Sequence, residues 1–356
     1  MGIKGLRELL KRYVPNFEHK VSMSSYSGKK IAVDASLFIC SYKMANATMF
    51  EETFINMFVT LLEHNIKPLF VFDGTSPEEK KEERKRRQNM RRSQYDKVER
   101  LEFDMEKYYE TRIVSDELWQ LSHRLNRLTL PTRISLTNEL HFNADLVDKE
   151  IGKMRSRILN VSDTDFKTLH ELLYLFGIDS VRAEGEGEVL CAELCKRGLV
   201  DAVLTRDTDT LASCVPEMLC DINTSEKEFT VIRTEEILST LQLDQASWLD
   251  LCIMCGTDYN NNIPRIGPIK AYSYIQEHRS LEELSRHLNV DILKYETTRK
   301  LFQCACPYTD EQLFQTGFIN LAEIERTIKE RRLKVSFSHI QARLSANTAT
   351  KPNEPM

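Results

Sequence analysis

Asp207 and Asp209 in TRDTDTLA (205–212), and Glu186 and Glu188 in VRAEGEGEVL (181–190), are two acid pairs separated by single residues. Three more acids stand at comparable places: Asp34 ends KKIAVD (29–34), Asp73 ends IKPLFVFD (66–73), and Asp258 lies in CGTDYN (255–260). Carboxylates this dense repel one another, and burying them unpaired costs free energy. If they meet, cations must neutralise them. Oxygen donors without His or Cys suit hard divalent ions, Mg²⁺ with Mn²⁺ as substitute, rather than zinc. Two such ions can activate water and stabilise the oxygens of a phosphodiester under attack. Any one of these acids could equally be a solvated charge or a helix N-terminal carboxylate. Glu184, on the approach to the turn, favours that reading; the joint set does not.

The elements around the acids explain how they could meet. KKIAVDAS and IKPLFVFDGTSP are apolar runs ending in an aspartate, and FEETFINMFVTLLEHN between them has helical spacing. That order predicts a βαβ unit and a parallel sheet. SVRA and GLVDAVLT predict two further strands, and open parallel sheets bind ligands beyond the carboxyl ends of their strands. Residues two apart share a face on a straight strand, and Gly185 and Gly187 let the chain bend so that Glu186 and Glu188 both face inward. DFKTLHELLYLFG and TEEILSTLQLDQASWLDLCIMCG predict helices. Between residues 77 and 160 lies a long charged insertion with little apolar content, read as extended helices. Four parts follow: 1–76, the insertion 77–160, 161–330, and a disordered tail over 331–356.

With 356 residues, 41% of them hydrophobic, the chain has enough apolar material for a large core. No apolar run approaches a membrane span. The N-terminus lacks the apolar stretch of a signal peptide, and Leu6 stands where a myristoylation motif needs Ser or Thr. An intracellular protein is expected, nuclear in a eukaryote, or in the host nucleus or a cytoplasmic factory for a virus. The nine cysteines are odd in number and scattered. The CxxC of Cys252 and Cys255 has no second ligand pair at zinc spacing, so reduced core thiols are expected. The net charge of −5 does not by itself announce a nucleic-acid partner. KKEERKRRQNMRR (80–92) does more, because Lys80, Arg84, Arg87 and Arg91 recur at helical spacing.

MGIKGLRELL, VDASLFI, PLFVFDG, AEGEGEVLCAEL, TRDTDTLA and CGTDYNNNIPRIGPIKAY, in this order, resemble the flap endonuclease family, which includes the XPG repair nucleases. The resemblance covers about residues 1–290 apart from the insertion. It implies a PIN-like 5′ nuclease fold, an α/β architecture with a central, mostly parallel twisted sheet flanked by helices, a helical arch and a helix-two-turn-helix element near 250–285. It also implies a metal-dependent, structure-specific DNA nuclease cutting branched or flapped DNA near single-strand/double-strand junctions. Asp34, Asp73, Glu186 and Glu188 match the acids of a first metal, and Asp207, Asp209 and Asp258 those of a second. Gly2 would stand beside the active site. Lys80 and Arg87 match an arch lysine and arginine that contact the scissile phosphate, with Arg84 and Arg91 on the same DNA-facing helix. In IPRIGPIKAY, Gly267 and Lys270 would grip duplex phosphates, with a potassium ion bound there in relatives.

The sequence departs from the family in four ways. Arg265 replaces the first glycine of that turn, and Cys40 an aromatic that stacks on a base. The insertion is long, and no sliding-clamp motif is found. These favour a divergent member, a viral one included. Two readings compete. TRDTDTLA resembles the DxDxT of a haloacid-dehalogenase phosphatase, which leaves Asp34 and Asp73 unexplained. A junction-binding protein without catalysis would have no need of the intact acids; an exoribonuclease of related architecture is a third, weaker reading.

Overall fold

Lys30–Asp34 and Lys67–Phe72 carry apolar side chains without polar alternation, the pattern of strands covered on both faces. They pair in parallel as β2 and β3, with Asp34 opposite Val71. The structure, a computed structural model, describes residues 2–129, 142–158, 161–315 and 317–348. Around β2 and β3 the strands β1 (His19–Ser22), β4 (Asp179–Arg182), β5 (Ala202–Leu204), β6 (Glu217–Asn223) and β7 (Glu228–Arg233) complete one sheet, in the order β1-β7-β6-β5-β2-β3-β4. β6 to β4 run parallel, whereas β7 and β1 add antiparallel pairs at one edge. This edge hairpin was not foreseen. Its strands, EMLCDIN and EFTVIR, are short and joined by the polar TSEK turn, and a register shift at Leu219/Asp221 interrupts their alternation.

In chain order, α1 (Leu6–Tyr13), α2 (Ala35–Ala45) and α3 (Phe50–Glu63) precede β3. A 3₁₀ turn, Glu78–Lys80, leads into α4 (Lys81–Thr111), α5 (Asp116–Thr129) and α6 (Ala144–Arg157). Then come α7 (Asp163–Leu175), α8 (Gly187–Lys196), α9 (Asp209–Ala212), α10 (Thr234–Leu241), α11 (Gln245–Cys255) and α12 (Pro268–His278). The final helices are α13 (Leu281–Leu284), α14 (Tyr295–Leu301), α15 (Asp310–Leu313), α16 (Leu321–Arg331) and α17 (Phe337–Thr348). Several starts are written locally: Ser162 and Asp165 form a capping box on α7, and the Asp244 carboxylate accepts from Ser247 N on α11.

Contacts divide the chain into two compact units. The first holds residues 1–41, 49–81 and 162–356 and contains the sheet. Phe58 meets Phe70 at 5.4 Å and Phe176 at 5.5 Å, so α3, β3 and α7 lock together through ring edges. Trp248 of α11 is fully buried and donates its indole N–H to Leu211 O at 2.7 Å. Cys191, Cys195, Cys252 and Cys255 are buried, and burial pushes their thiols up, Cys255 to about 12. They are core residues.

The second unit holds residues 42–48 and 82–161. The sequence suggested too little apolar content for packing there, but Val98, Leu101 and Met105 of α4 recur on one face. They close a small core with Leu118, Leu121 and Leu125 of α5 and Val147 and Ile151 of α6. A sparse stripe suffices because each helix buries only one side.

The disordered tail expected from residue 331 is corrected as far as residue 348. α17 packs against α3, burying Ile340 and Leu344. Arg343 Nε meets Glu63 Oε2 at 2.6 Å and its Nη2 donates to Thr60 Oγ1 at 2.9 Å. Small polar residues hid a helix whose partners lie some 280 positions away. Residues 349–356 lie outside the described ones. Among the described residues, no helix is long and apolar enough to cross a membrane. Arg343→Ala leaves the largely buried Glu63 to Lys227, 3.1 Å away, and is expected to lower stability by about 1–2 kcal/mol, read as a shifted urea midpoint at unchanged slope; an unchanged midpoint would mean this contact of α17 adds nothing.

Candidate active site

β5, β2, β3 and β4 are neighbours and parallel, so their carboxyl ends open onto one edge. Asp34 is the last residue of β2, Asp73 follows β3, and Asp207 lies three residues beyond β5. Glu186 is the N-cap of α8 beyond β4, with Glu188 in that helix's first turn. Asp209 opens α9, and Asp258 follows α11 after Gly256, whose φ is 98°. Asp207 and Asp209 therefore lie on a turn and a helix start rather than on a straight strand.

Local hydrogen bonds aim these groups. Asp34 accepts from Leu37 N at 3.0 Å and from Thr205 Oγ1 at 2.9 Å. Asp207 Oδ1 accepts from Asp209 N at 3.1 Å, and Glu186 Oε1 from Ser76 Oγ at 2.8 Å. Asp73 Oδ1 accepts from Gly187 N at 2.7 Å, and a Cβ at Gly187 would lie 2.9 Å from that oxygen. Gly187 thus serves close approach, while Gly185 faces open space. Gly2, at φ 94°, packs so tightly that a Cβ would collide with Asp207 Oδ1 and Thr208 Oγ1. The next residue is pinned by Ile3 N donating to Thr208 Oγ1 at 2.9 Å. Thr205, Ser76 and Thr208 were missed by sequence reasoning, because hydroxyls beside acid motifs carry no pattern of their own.

The acids form one electrostatic set. Burial first, and Asp73 second, push the Asp34 carboxyl up to about 7. Burial, reinforced by Asp207, raises Glu188 and Asp209 well above the usual carboxylate range, and burial also raises Asp207. Into this set reaches Lys80, whose Nζ lies 2.5 Å from Glu186 Oε2, 3.6 Å from Asp258 Oδ2 and 3.9 Å from Glu188 Oε1. Burial would pull the ammonium down, but Glu188 and Glu186 hold it above the ordinary lysine value. It also lies 5.7 Å from the Tyr259 ring centre. This corrects the helical-face reading: Lys80 is in the 3₁₀ turn, 8% exposed, rather than on an exposed helix with the arginines.

One ammonium does not satisfy the set. Glu188 Oε1 and both Asp209 carboxylate oxygens are buried without a hydrogen-bond partner. Among the described residues no three His, Cys, Asp or Glu side chains close into a finished cage. Oxygen-only donors with orphaned buried atoms nonetheless fit hard divalent cations, with Lys80 sharing the same carboxylates.

Within the second unit, Arg84 and Arg91 are exposed on α4. Arg87 is half-buried, its Nε donating to Glu83 Oε1 at 2.8 Å, and Arg86 joins it, which together hold the Glu83 carboxyl at about 2. Gly267 is the exposed N-cap of α12, ahead of Pro268 and the exposed Lys270. No side chain caps that end, which leaves backbone N–H groups available to an anion. Arg265 takes φ 66°, keeping the left-handed backbone that glycine usually supplies, at a cost of roughly 1–2 kcal/mol. Cys40 is half-buried on α2.

Comparison with known proteins follows this geometry. The XPG N-terminal domain matches residues 1–94 and the XPG I-region residues 177–258. The chain is 31% identical over 330 residues to the probable RAD2-like endonuclease 076L of Invertebrate iridescent virus 3, covering 85% of each. It is 31% identical over 327 residues to flap endonuclease 1-A of Sorghum bicolor, covering 85% of this chain and 75% of that one. In fold it resembles the catalytic core of Rad2 in complex with DNA substrate, at TM-score 0.63 and 19% identity over 97% of this chain and 100% of that one. Flap endonuclease-1 from Methanococcus jannaschii matches at TM-score 0.57 and 18% identity, over 94% and 96%.

Two outcomes follow from the packing. Gly2→Ala forces a methyl against Asp207 and is expected to slow single-turnover cleavage roughly 100-fold with the fold retained, as a misplacement near 1 Å does; an unchanged rate would remove Gly2 from the site. Because Asp34 is raised from 3.8 to about 7, it lends stability at low pH that is lost as pH rises through that interval. In EDTA the melting temperature should therefore fall across that interval, less steeply for Asp34→Asn, and Mg²⁺ should restore it at neutral pH in the unmutated protein. An equal slope in both proteins would contradict the assignment.

Proposed function

The chain belongs to the XPG family of metal-dependent, structure-specific DNA nucleases, and from that membership we propose that its acid rim is a two-ion hydrolytic site for branched or flapped DNA. The observation that carries this reading is the trio of orphaned, buried carboxylate oxygens on Glu188 and Asp209 beside the Lys80 ammonium. Asp34, Asp73, Glu186 and Glu188 are assigned to one ion and Asp207, Asp209 and Asp258 to the other, with Mg²⁺ the expected metal and Mn²⁺ a substitute. Bound there, such ions supply an activated water and charge stabilisation for phosphodiester hydrolysis.

The chain's own residues do the rest. Thr205 and the Leu37 amide hold Asp34 in one rotamer, and the Gly187 amide does the same for Asp73. Lys80 offsets part of the acid charge, so that an anionic substrate meets a less repulsive site. Arg87 is assigned an electrostatic role toward the scissile phosphate, and Arg84 and Arg91 a footing on DNA. The bare N-terminus of α12, with Gly267 and Lys270, suits a duplex phosphate, and a potassium ion there would share that load. The phosphatase alternative is not favoured: Asp34 and Asp73 join Asp207 in one electrostatic set, which an aspartyl nucleophile alone does not require.

Labelled flap, gap, bubble and four-way-junction DNAs incubated with Mg²⁺ should be cut, and EDTA should stop the reaction. Asp207→Ala and Asp34→Ala are expected to abolish cutting while duplex binding stays measurable; full cleavage by either would sink the ligand assignment. Lys80→Ala and Arg87→Ala should each slow the chemical step by about 10²-fold or more while changing the DNA Kd far less; a loss confined to Kd would make them binding residues only.

A further inference from the structure

Tyr259 follows Asp258 in the loop beyond α11 and is 5% exposed. Its phenol oxygen is buried and, among the described residues, has no hydrogen-bond partner. An unmatched hydroxyl costs free energy in such a place, so the O–H does not explain why a tyrosine fills the position. The ring does. Lys80 Nζ lies over its face, 5.7 Å from the centre. The same ammonium meets Glu186, Asp258 and Glu188 at 2.5, 3.6 and 3.9 Å. The Phe302 ring, itself buried, makes an edge contact with Tyr259 at 5.4 Å. Tyr259 N donates to Thr257 Oγ1 at 3.0 Å, that hydroxyl donates to Asn260 Oδ1 at 2.6 Å, and Asn260 Nδ2 donates to Ile253 O at 3.0 Å. Packing on Phe302 and a loop fastened to α11 thus hold the ring in place.

We propose that Tyr259 is a positioning residue that acts through Lys80: the face of its ring holds the ammonium at the carboxylates, and its hydroxyl takes no part. A lysine carries its charge on a flexible four-carbon stem. Carboxylates attract that charge without fixing the direction of the stem. A ring clamped by its own neighbours adds a second attraction from a fixed direction, and such contacts strengthen when the cation is desolvated, as Lys80 is at 8% exposure. An aliphatic side chain of similar bulk would fill the space against Phe302 without that attraction. The inference rests on the nuclease reading, in which Lys80 serves the chemical step.

The test is a series in the full chain: Tyr259→Phe, then singly and triply fluorinated phenylalanine at the same position. Fluorine withdraws the negative charge of the ring face at nearly constant shape. Tyr259→Phe should keep the single-turnover cleavage rate in Mg²⁺ and, freed of the unmatched hydroxyl, melt no lower than the unmutated protein in EDTA. From Phe to the triply fluorinated ring the rate should fall about tenfold, while the Kd for flap DNA in EDTA stays nearly constant. Fluorine also alters apolar packing, and the same series in Lys80→Met subtracts that contribution. Relative to Lys80→Met, the melting temperature in EDTA should drop across the series by about 1–3 °C when Lys80 is present. Parallel melting series in the two backgrounds, a rate unmoved by fluorine, or a slow Tyr259→Phe would each overturn the proposal. The melting comparison uses neither metal nor DNA, so the nuclease reading is judged separately, on cutting by the unmutated protein.

Discussion

Repulsion among buried carboxylates is the constraint to which the rest of this molecule answers. Asp34, Glu188, Asp207 and Asp209 are pushed above the carboxylate range chiefly by their own burial. A fold that hides acids at such cost must hold them rigidly, or they would swing into water. Rigidity comes from a parallel sheet whose apolar strands stop at the rim, and from amides and hydroxyls fixed by the next helix start. Lys80 is the internal counter-charge, reaching three of the acids at once.

Backbone proximity completes the same edge. Gly2 lies against Asp207 and Thr208, and Gly187 against Asp73, so two acids are bordered by main chain where a methyl group would not fit. The N-terminal segment is held from both sides, since Lys4 N donates to Gly256 O at 3.0 Å just ahead of Asp258. The loops that carry Asp207 and Asp258 are therefore tied through the start of the chain. A methyl at either glycine would move an acid rather than merely crowd the surface.

The helical unit obeys a different economy. Its apolar side chains are just enough to join three helices, which leaves most of α4 free to carry charge. Glu83 quenches part of that charge by pairing with Arg86 and Arg87, while Arg91, Arg92 and Arg155 line a cleft without acids. Local ion pairing thus separates the cations bonded to Glu83 from those that line the cleft. Ahead of α12, Arg265 shows that the surrounding structure can impose a left-handed turn on a residue other than glycine.

The sequence by itself determined the strands that end in Asp34 and Asp73, the helices around them and the identity of the acids, because period and composition are local properties. Six motifs in order also carried the family resemblance. The tertiary structure alone decided that β5, β2, β3 and β4 lie side by side, which turns scattered carboxylates into one rim. It moved Lys80 from an apparent helix face into a buried turn among three acids, a change that spacing cannot reveal since 3₁₀ and α-helical turns share nearly the same local pattern. It supplied Thr205, Ser76 and Thr208 as orienting hydroxyls and made a packed helix of a small, polar C-terminal segment. Each of these depends on contacts between residues far apart in the chain, and a linear pattern holds no record of such contacts.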